Sequence, residues 1–146
     1  MRISLGSDHG GYELKEAVKK YLTSRGHDVE DVGCNGLDSA DYPDHGAPAA
    51  RAVATGECAR GILICRSGIG MSIVGNKIAG VRAALCLDEE MAELSRRHND
   101  ANVLVLSGGQ TPPARACRIV DVWLRTAFEG GRHGRRVDKI REMEGK

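Results

Sequence analysis

Aromatic residues are scarce in this chain: one Trp, three Tyr and one Phe make up 3% of 146 residues. So few rings leave little from which to build a base-stacking platform. A formal net charge of +1 gives no electrostatic footprint for a polyanion. No nucleic-acid partner is therefore expected. No apolar run approaches the ~20 residues of a membrane-spanning helix. The opening Met1-Arg2-Ile3-Ser4-Leu5-Gly6 turns polar too soon to be a signal peptide. These absences predict no membrane partner and a cytoplasmic location. The five cysteines (Cys34, Cys58, Cys65, Cys86, Cys117) are odd in number and contain no C-x-x-C pair, which points to reduced thiols rather than a disulfide framework. His9, His45, His98 and His133 stand scattered along the chain with no H-x-x-x-H pair, so no metal is expected.

What is present fits one globular domain over residues 1–146. Apolar residues are 41% and charged residues 28%, and the length suffices for a core without a covalent or metal staple. No linker, repeat or low-complexity segment interrupts it. Short apolar runs alternate with helical patterns. Ile3 to Gly6 reads as a first strand. Leu14, Ala17, Val18, Tyr21 and Leu22 follow at helical spacing, and Gly26 ends that helix. Val29 to Val32 reads as a second strand, and Pro43 opens a helix with Ala47, Ala50, Val53 and Ala54 on one face. Gly61-Ile62-Leu63-Ile64-Cys65 has the unbroken apolar character of a central parallel strand. A glycine-rich turn and a helix from Ile69 to Lys77 come next.

Val81 to Leu87 reads as a fourth strand. Asp88 caps the helix after it, with Glu89 and Glu90 in the first turn and Arg96 and Arg97 in the last, as the helix dipole prefers. Val103 to Leu106 is a fifth strand. Pro112 and Pro113 open a helix with apolar positions Ala116, Ile119, Val120, Trp123, Leu124, Ala127 and Phe128. From Glu129 the tail is polar and basic and ends in a short helical pattern. Strands alternating with helices predict a Rossmann-like, three-layer α/β domain: a five-stranded parallel sheet with helices on both faces. In such sheets ligands bind beyond the carboxyl ends of the strands, near a switch in strand order.

Two of the loops at those ends carry reactive groups. Cys65-Arg66-Ser67-Gly68-Ile69-Gly70-Met71-Ser72 puts a thiol at a strand end, a hydroxyl two residues on, and glycines leading into a helix N-terminus. Free N–H groups there can hold an oxyanion or a phosphate, and the positive end of the helix favours a thiolate. A thiolate beside amide donors can lift a proton from a carbon next to a carbonyl while the amides hold the enediolate oxygen. The plainer reading makes Cys65 a buried strand cysteine and the glycines a tight turn. A dinucleotide fingerprint fits poorly, because position 73 is Ile and the loop follows the third strand. Asp8-His9-Gly10-Gly11 suits phosphate or hydroxyl binding, or is an ordinary helix cap with a solvated His. His98-Asn99-Asp100 reads as capping of the fourth helix. Arg132-His133-Gly134-Arg135-Arg136 is either a phosphate clamp or a solvated basic tail.

Together these segments resemble the ribose-5-phosphate isomerase type B family, which includes galactose-6-phosphate isomerase subunits. The matching pieces are Gly6 to Gly11, Asp41-Tyr42-Pro43-Asp44, Gly61 to Cys65, Ser67 to Ile73, Asn76-Lys77, Ser95 to Asn102 and Glu129 to His133. They run in the family's order over nearly the whole chain. The resemblance implies a cofactor-independent aldose–ketose isomerase of a phosphorylated sugar, foremost ribose 5-phosphate, working through a cis-enediolate. It also implies a homodimer, which can pair further into a dimer of dimers. Each active site is then shared, and the segment from about residue 129 contributes to the dimer and the partner's site. By the same resemblance Cys65 is the base that moves a proton between C1 and C2, and Ser67 relays protons between the substrate oxygens. The amides of Gly68, Ile69, Gly70, Met71 and Ser72 hold the enediolate. Asp8 and His98 assist ring opening, His98 coming from the second subunit. His9, Arg132 and Arg136 bind phosphate, and Tyr42 and Asn99 line the sugar pocket.

Three positions depart from the pattern. Arg66 stands where the family usually has Gly, Ser67 where Thr is more familiar, and Gly109 where an Arg commonly follows the fifth strand. One basic group is lost and another gained nearby, which makes Arg66 a candidate for specificity. The alternatives are another aldose phosphate, of four carbons or of six (allose or galactose 6-phosphate), or a non-catalytic domain that binds a sugar phosphate or nucleotide.

Overall fold

The central strand of the sheet is the unbroken apolar run ending at Cys65. In the computed structural model, which describes residues 1–145, strand β3 (Arg60–Cys65) is flanked by β1 (Arg2–Ser7) and β5 (Val103–Ser107). The edges are β2 (Asp28–Asp31) beside β1 and β4 (Ala83–Leu85) beside β5. All four pairings are parallel, and the order is β2-β1-β3-β5-β4. The chain leaves β1 for one edge and returns on the other side of it to build β3. That reversal is the topological switch, and the register sets Ser7 opposite Ile64, so Asp8 and Cys65 leave the sheet side by side.

Helices cover both faces. On one, α1 (Tyr12–Ser24) and α5 (Pro113–Arg125) bury Leu14, Val18, Leu22, Ile119, Val120 and Trp123 against Ile3, Leu5, Ile62, Ile64, Leu104 and Leu106, with Ala92 of α4 (Glu89–Asn99) joining them. On the other, α2 (Tyr42–Ala54) and α3 (Ile69–Asn76) set Ala49, Ala50, Val53 and Met71 against Leu63, Cys65, Val103 and Val105. Successive residues of β3 thus feed opposite cores, which is why its sequence is apolar throughout rather than alternating. Truncating Leu63 or Ile64, both fully buried, costs about 2–5 kcal/mol each. A further helix, α6 (Arg132–Glu144), packs on α4. None of the helices described is long and apolar enough to cross a membrane.

Several boundaries differ from the sequence expectation. The fourth strand is shorter than Val81 to Leu87, because side chains take over its flanks: Arg82 N donates to Asn102 Oδ1 (2.8 Å), and the Asn76 amide brackets Ala83 N (2.9 Å) and Ala83 O (3.0 Å). Helix α5 stops at Arg125, where Thr126 turns extended and its carbonyl accepts from Arg96 Nε, so Ala127 and Phe128 lie beyond the helix. His98 and Asn99 belong to the last turn of α4, and Asp100, with φ of 47°, is its C-cap. The basic cluster opens α6 instead of lying in an irregular tail. Two cations are interior among the described residues: Arg96, 4% exposed, meets Asp100 at 2.9 Å, and Lys15, 1% exposed, meets Asp31 at 2.6 Å. Burial pushes the Asp31 carboxyl up, but hydrogen bonds from Lys15, the Gly33 amide and Lys19 outweigh it and hold it below its usual range.

Candidate active site

The loop after β3 is organised around the Cys65 sulfur. Gly68 adopts φ of 83°, a left-handed conformation that glycine enters without strain, and caps α3. That bend turns the Gly68 N–H back onto Cys65 Sγ at 3.2 Å. Ile69 N donates to Ser67 Oγ (3.1 Å) and Ser72 N to Gly68 O (3.0 Å). Of the five amides expected to form an oxyanion cradle, only those of Gly70 and Met71 are left without a partner among the described residues. Gly68 serves the sulfur, Ile69 the hydroxyl, and Ser72 the helix. Cys65 itself is 5% exposed and Ser67 lies at the surface.

Beside it, Asp8 is nearly buried and caps the short turn His9–Gly11, its Oδ1 accepting from Gly11 N at 3.1 Å. The His9 Nδ1 accepts from Ala40 N (3.1 Å), which leaves Nε2 as the ring's N–H donor. Tyr42, at the start of α2, lays its ring on Gly70: a Cβ built there would fall 2.6 Å from Cε1. Arg66 is exposed, and its carbonyl accepts from Ser107 Oγ (2.7 Å) and Gly109 N (2.9 Å). Asp8, His9, Tyr42, Cys65, Arg66, Ser67 and the α3 amides therefore share the carboxyl end of the sheet.

His98, Asn99, Arg132 and Arg136 do not. Cys65 pairs with Ser107 at the far end of β5, whereas α4 runs back to deliver His98 and Asn99 near the start of β5 at Val103. Four residues of strand alone span roughly 13 Å. The scattered histidines also prove to be partly gathered: the rings of His98 and His133 stack with centroids 4.1 Å apart and planes 9° from parallel. Glu129 joins them, 3.8 Å from each Nε2. Sequence reading missed Glu129 as a site residue, although its i, i+4 spacing to His133 was visible. The three side chains bring ligand-type atoms within 4.8 Å of one another. Stacked, near-parallel rings give a cation no point lying in both ring planes, and Arg97 already holds Glu129 Oε2 at 2.6 Å.

A groove of about 900 Å³ also lies on this second face. It runs between Lys77, Arg82, Ile140 and Met143, and Asn99 is the one expected site residue that lines it. Apolar side chains stand exposed at both faces: Ile69 and Ile73 beside the Cys65 loop, Ile140 and Met143 on α6.

Residues 3–140 match the family model described as Ribose/Galactose Isomerase. Ribose-5-phosphate isomerase B of Escherichia coli strain K12 is 44% identical over 143 residues, covering 98% of this chain and 96% of that one. Among solved structures, ribose-5-phosphate isomerase B of Clostridium thermocellum superposes with a TM-score of 0.98 at 51% identity, covering 99% and 98% of the two chains. That of Mycoplasma genitalium, solved with bound ribulose 5-phosphate, superposes with a TM-score of 0.96 at 41% identity, covering 99% and 97%.

Proposed function

Because the chain belongs to the ribose/galactose isomerase family, we propose that it interconverts ribose 5-phosphate and ribulose 5-phosphate. The observation that carries the chemistry is the Gly68 N–H directed onto Cys65 Sγ, with the Gly70 and Met71 amides unengaged one turn on. The amide supplies a donor to a sulfur that bears negative charge. The sulfur takes the proton from C2 of the open-chain aldose. The C–H pair becomes the C1–C2 double bond, and the carbonyl pair moves onto O1, where the two free amides receive it. Ser67 passes the O2 proton to O1. The Cys65 S–H then returns its proton to C1 as the O2 pair closes the ketone. Atoms and electrons balance without an oxidant or a cofactor. Before this, Asp8 and His98 open the furanose ring by proton transfer at O1 and the ring oxygen.

His98, Asn99, Arg132 and Arg136 lie too far from Cys65 to act on the same substrate within one chain, so a second copy supplies them. The active unit is a homodimer in which the exposed Ile69 and Ile73 of one subunit are covered at the shared face. His9, Arg132 and Arg136 hold the phosphate, and Tyr42 and Asn99 line the sugar. Five free thiols, four of them buried, suit a reducing cytoplasmic compartment.

The test is proton exchange. Incubated with ribose 5-phosphate in heavy water, the protein should form ribulose 5-phosphate and place deuterium at C1 of the product. Product formation without any wash-in would argue against exchange of the transferred proton with solvent at Cys65. No turnover of ribose 5-phosphate would overturn the substrate assignment.

A further inference from the structure

Arg66 follows the base directly, and its side chain has been given a place. Its carbonyl is fixed by Ser107 Oγ at 2.7 Å and Gly109 N at 2.9 Å, so its backbone is tied to the loop after β5. Its stem lies over two glycines. A Cβ added at Gly109 would sit 3.2 Å from Arg66 Cγ and 3.0 Å from Arg66 O. One added at Gly10 would sit 3.0 Å from Arg66 Cβ and 3.4 Å from Asp8 Oδ1. The missing side chains at positions 10 and 109 are what leave room for this stem, and the point over Gly10 touches both Arg66 and the Asp8 carboxylate. The guanidinium beyond the stem is exposed and makes no hydrogen bond or ion pair among the described residues. A cation whose stem is packed and whose head is unpaired, at the mouth of a site that takes an anionic substrate, is prepared to bind the anion. The Cβ and Cγ are already placed, so only the outer torsions remain to be ordered when it does so.

We propose that Arg66 is a specificity-determining residue that binds the phosphate of the substrate from the Cys65 side of the site, and so favours shorter aldose phosphates over longer ones. The proposal rests on the isomerase reading above. The geometry supplies the length argument. Arg132 and Arg136 are on the face that a second subunit brings in, whereas Arg66 is adjacent to the base. A phosphate held by Arg66 has fewer carbons between it and the reacting C1 and C2.

Two measurements test this on the assembled protein. The first is calorimetric titration with inorganic phosphate of the wild type, Arg66→Gly and Arg66→Lys. Loss of a charge-assisted contact should weaken phosphate binding by about tenfold or more in Arg66→Gly, with the lysine variant between the two. The second is kcat/KM on four-, five- and six-carbon aldose phosphates. Arg66→Gly should lose most on the four-carbon sugar and least on the six-carbon sugar, chiefly through KM. Arg66→Gln, of similar length and uncharged, gives the same reading should the glycine variant not fold. Unchanged phosphate affinity, or an equal loss on all three sugars, would overturn the proposal. A wild type that binds phosphate through Arg66 but turns over none of the sugars would instead overturn the isomerase reading, because the titration needs no turnover.

Discussion

The imidazoles of His98 and His133 lie face to face, 4.1 Å between centroids, and so join the last turn of α4 to the first turn of α6. His133 is the buried partner, 6% exposed, and its Nε2 has no hydrogen bond among the described residues. Burial, with His98 and Arg132 close by, pushes its pKa below the ordinary value of 6.5, against the opposing pull of Glu129. A neutral His133 can lie flat under His98 without like-charge repulsion, which fixes the orientation of the His98 ring.

This arrangement makes stability depend on pH in a stated direction. The native His133 resists a proton that the unfolded chain accepts below about pH 6.5. Stability is therefore complete above that pH and falls as the pH drops toward the lower native value. Denaturant titrations between pH 5 and 7.5 should show the wild type losing stability on acidification. His133→Phe, which keeps a stacking ring and removes the titration, should lose less. Parallel curves for the two proteins would contradict the assignment.

Cys65→Ala should lower kcat for ribose 5-phosphate by about 10²–10⁴-fold, the usual contribution of a positioned base. Phosphate affinity and melting temperature should be nearly unchanged, since the side chain lost is small. A variant with near wild-type turnover would remove Cys65 from the base role.

Mixed subunits test the shared site. Cys65→Ala and His98→Ala homodimers should each be inactive. After subunit exchange, half of each heterodimer's sites carry both defects and the other half carry neither, so activity should reappear in proportion to heterodimer formed. Exchange verified by mass spectrometry without recovery would show that each chain is self-sufficient.

Gly70→Ala should disturb the site sterically. Its Cβ would fall 2.6 Å from Tyr42 Cε1 and 2.7 Å from Cζ, so the half-exposed ring must swing outward. The expected stability loss is only about 1 kcal/mol. The loss in kcat/KM should be larger, about tenfold or more, if the shift moves both the free Gly70 amide and the Tyr42 ring proposed to line the sugar. Adding Tyr42→Ala should restore stability without restoring activity. Full activity in Gly70→Ala would show that the ring has no part in catalysis.

The sequence by itself determined the layered fold and the chemistry-bearing segments. Runs such as Gly61 to Cys65 can only be buried on both faces, and helical spacing such as Leu14, Val18 and Leu22 can only cover one. The thiol, hydroxyl and glycines of positions 65–70 were contiguous, so their proximity followed from bond connectivity. Only the tertiary structure decided the strand order that puts Asp8 beside Cys65, and the reversal of α4 that carries His98 away from it. It alone stacked His133 on His98 across 35 residues, buried Lys15 against Asp31, and seated Arg66 over Gly10 and Gly109. These relationships join residues distant in sequence. Local spacing carries no information about them, because they arise from how the elements pack.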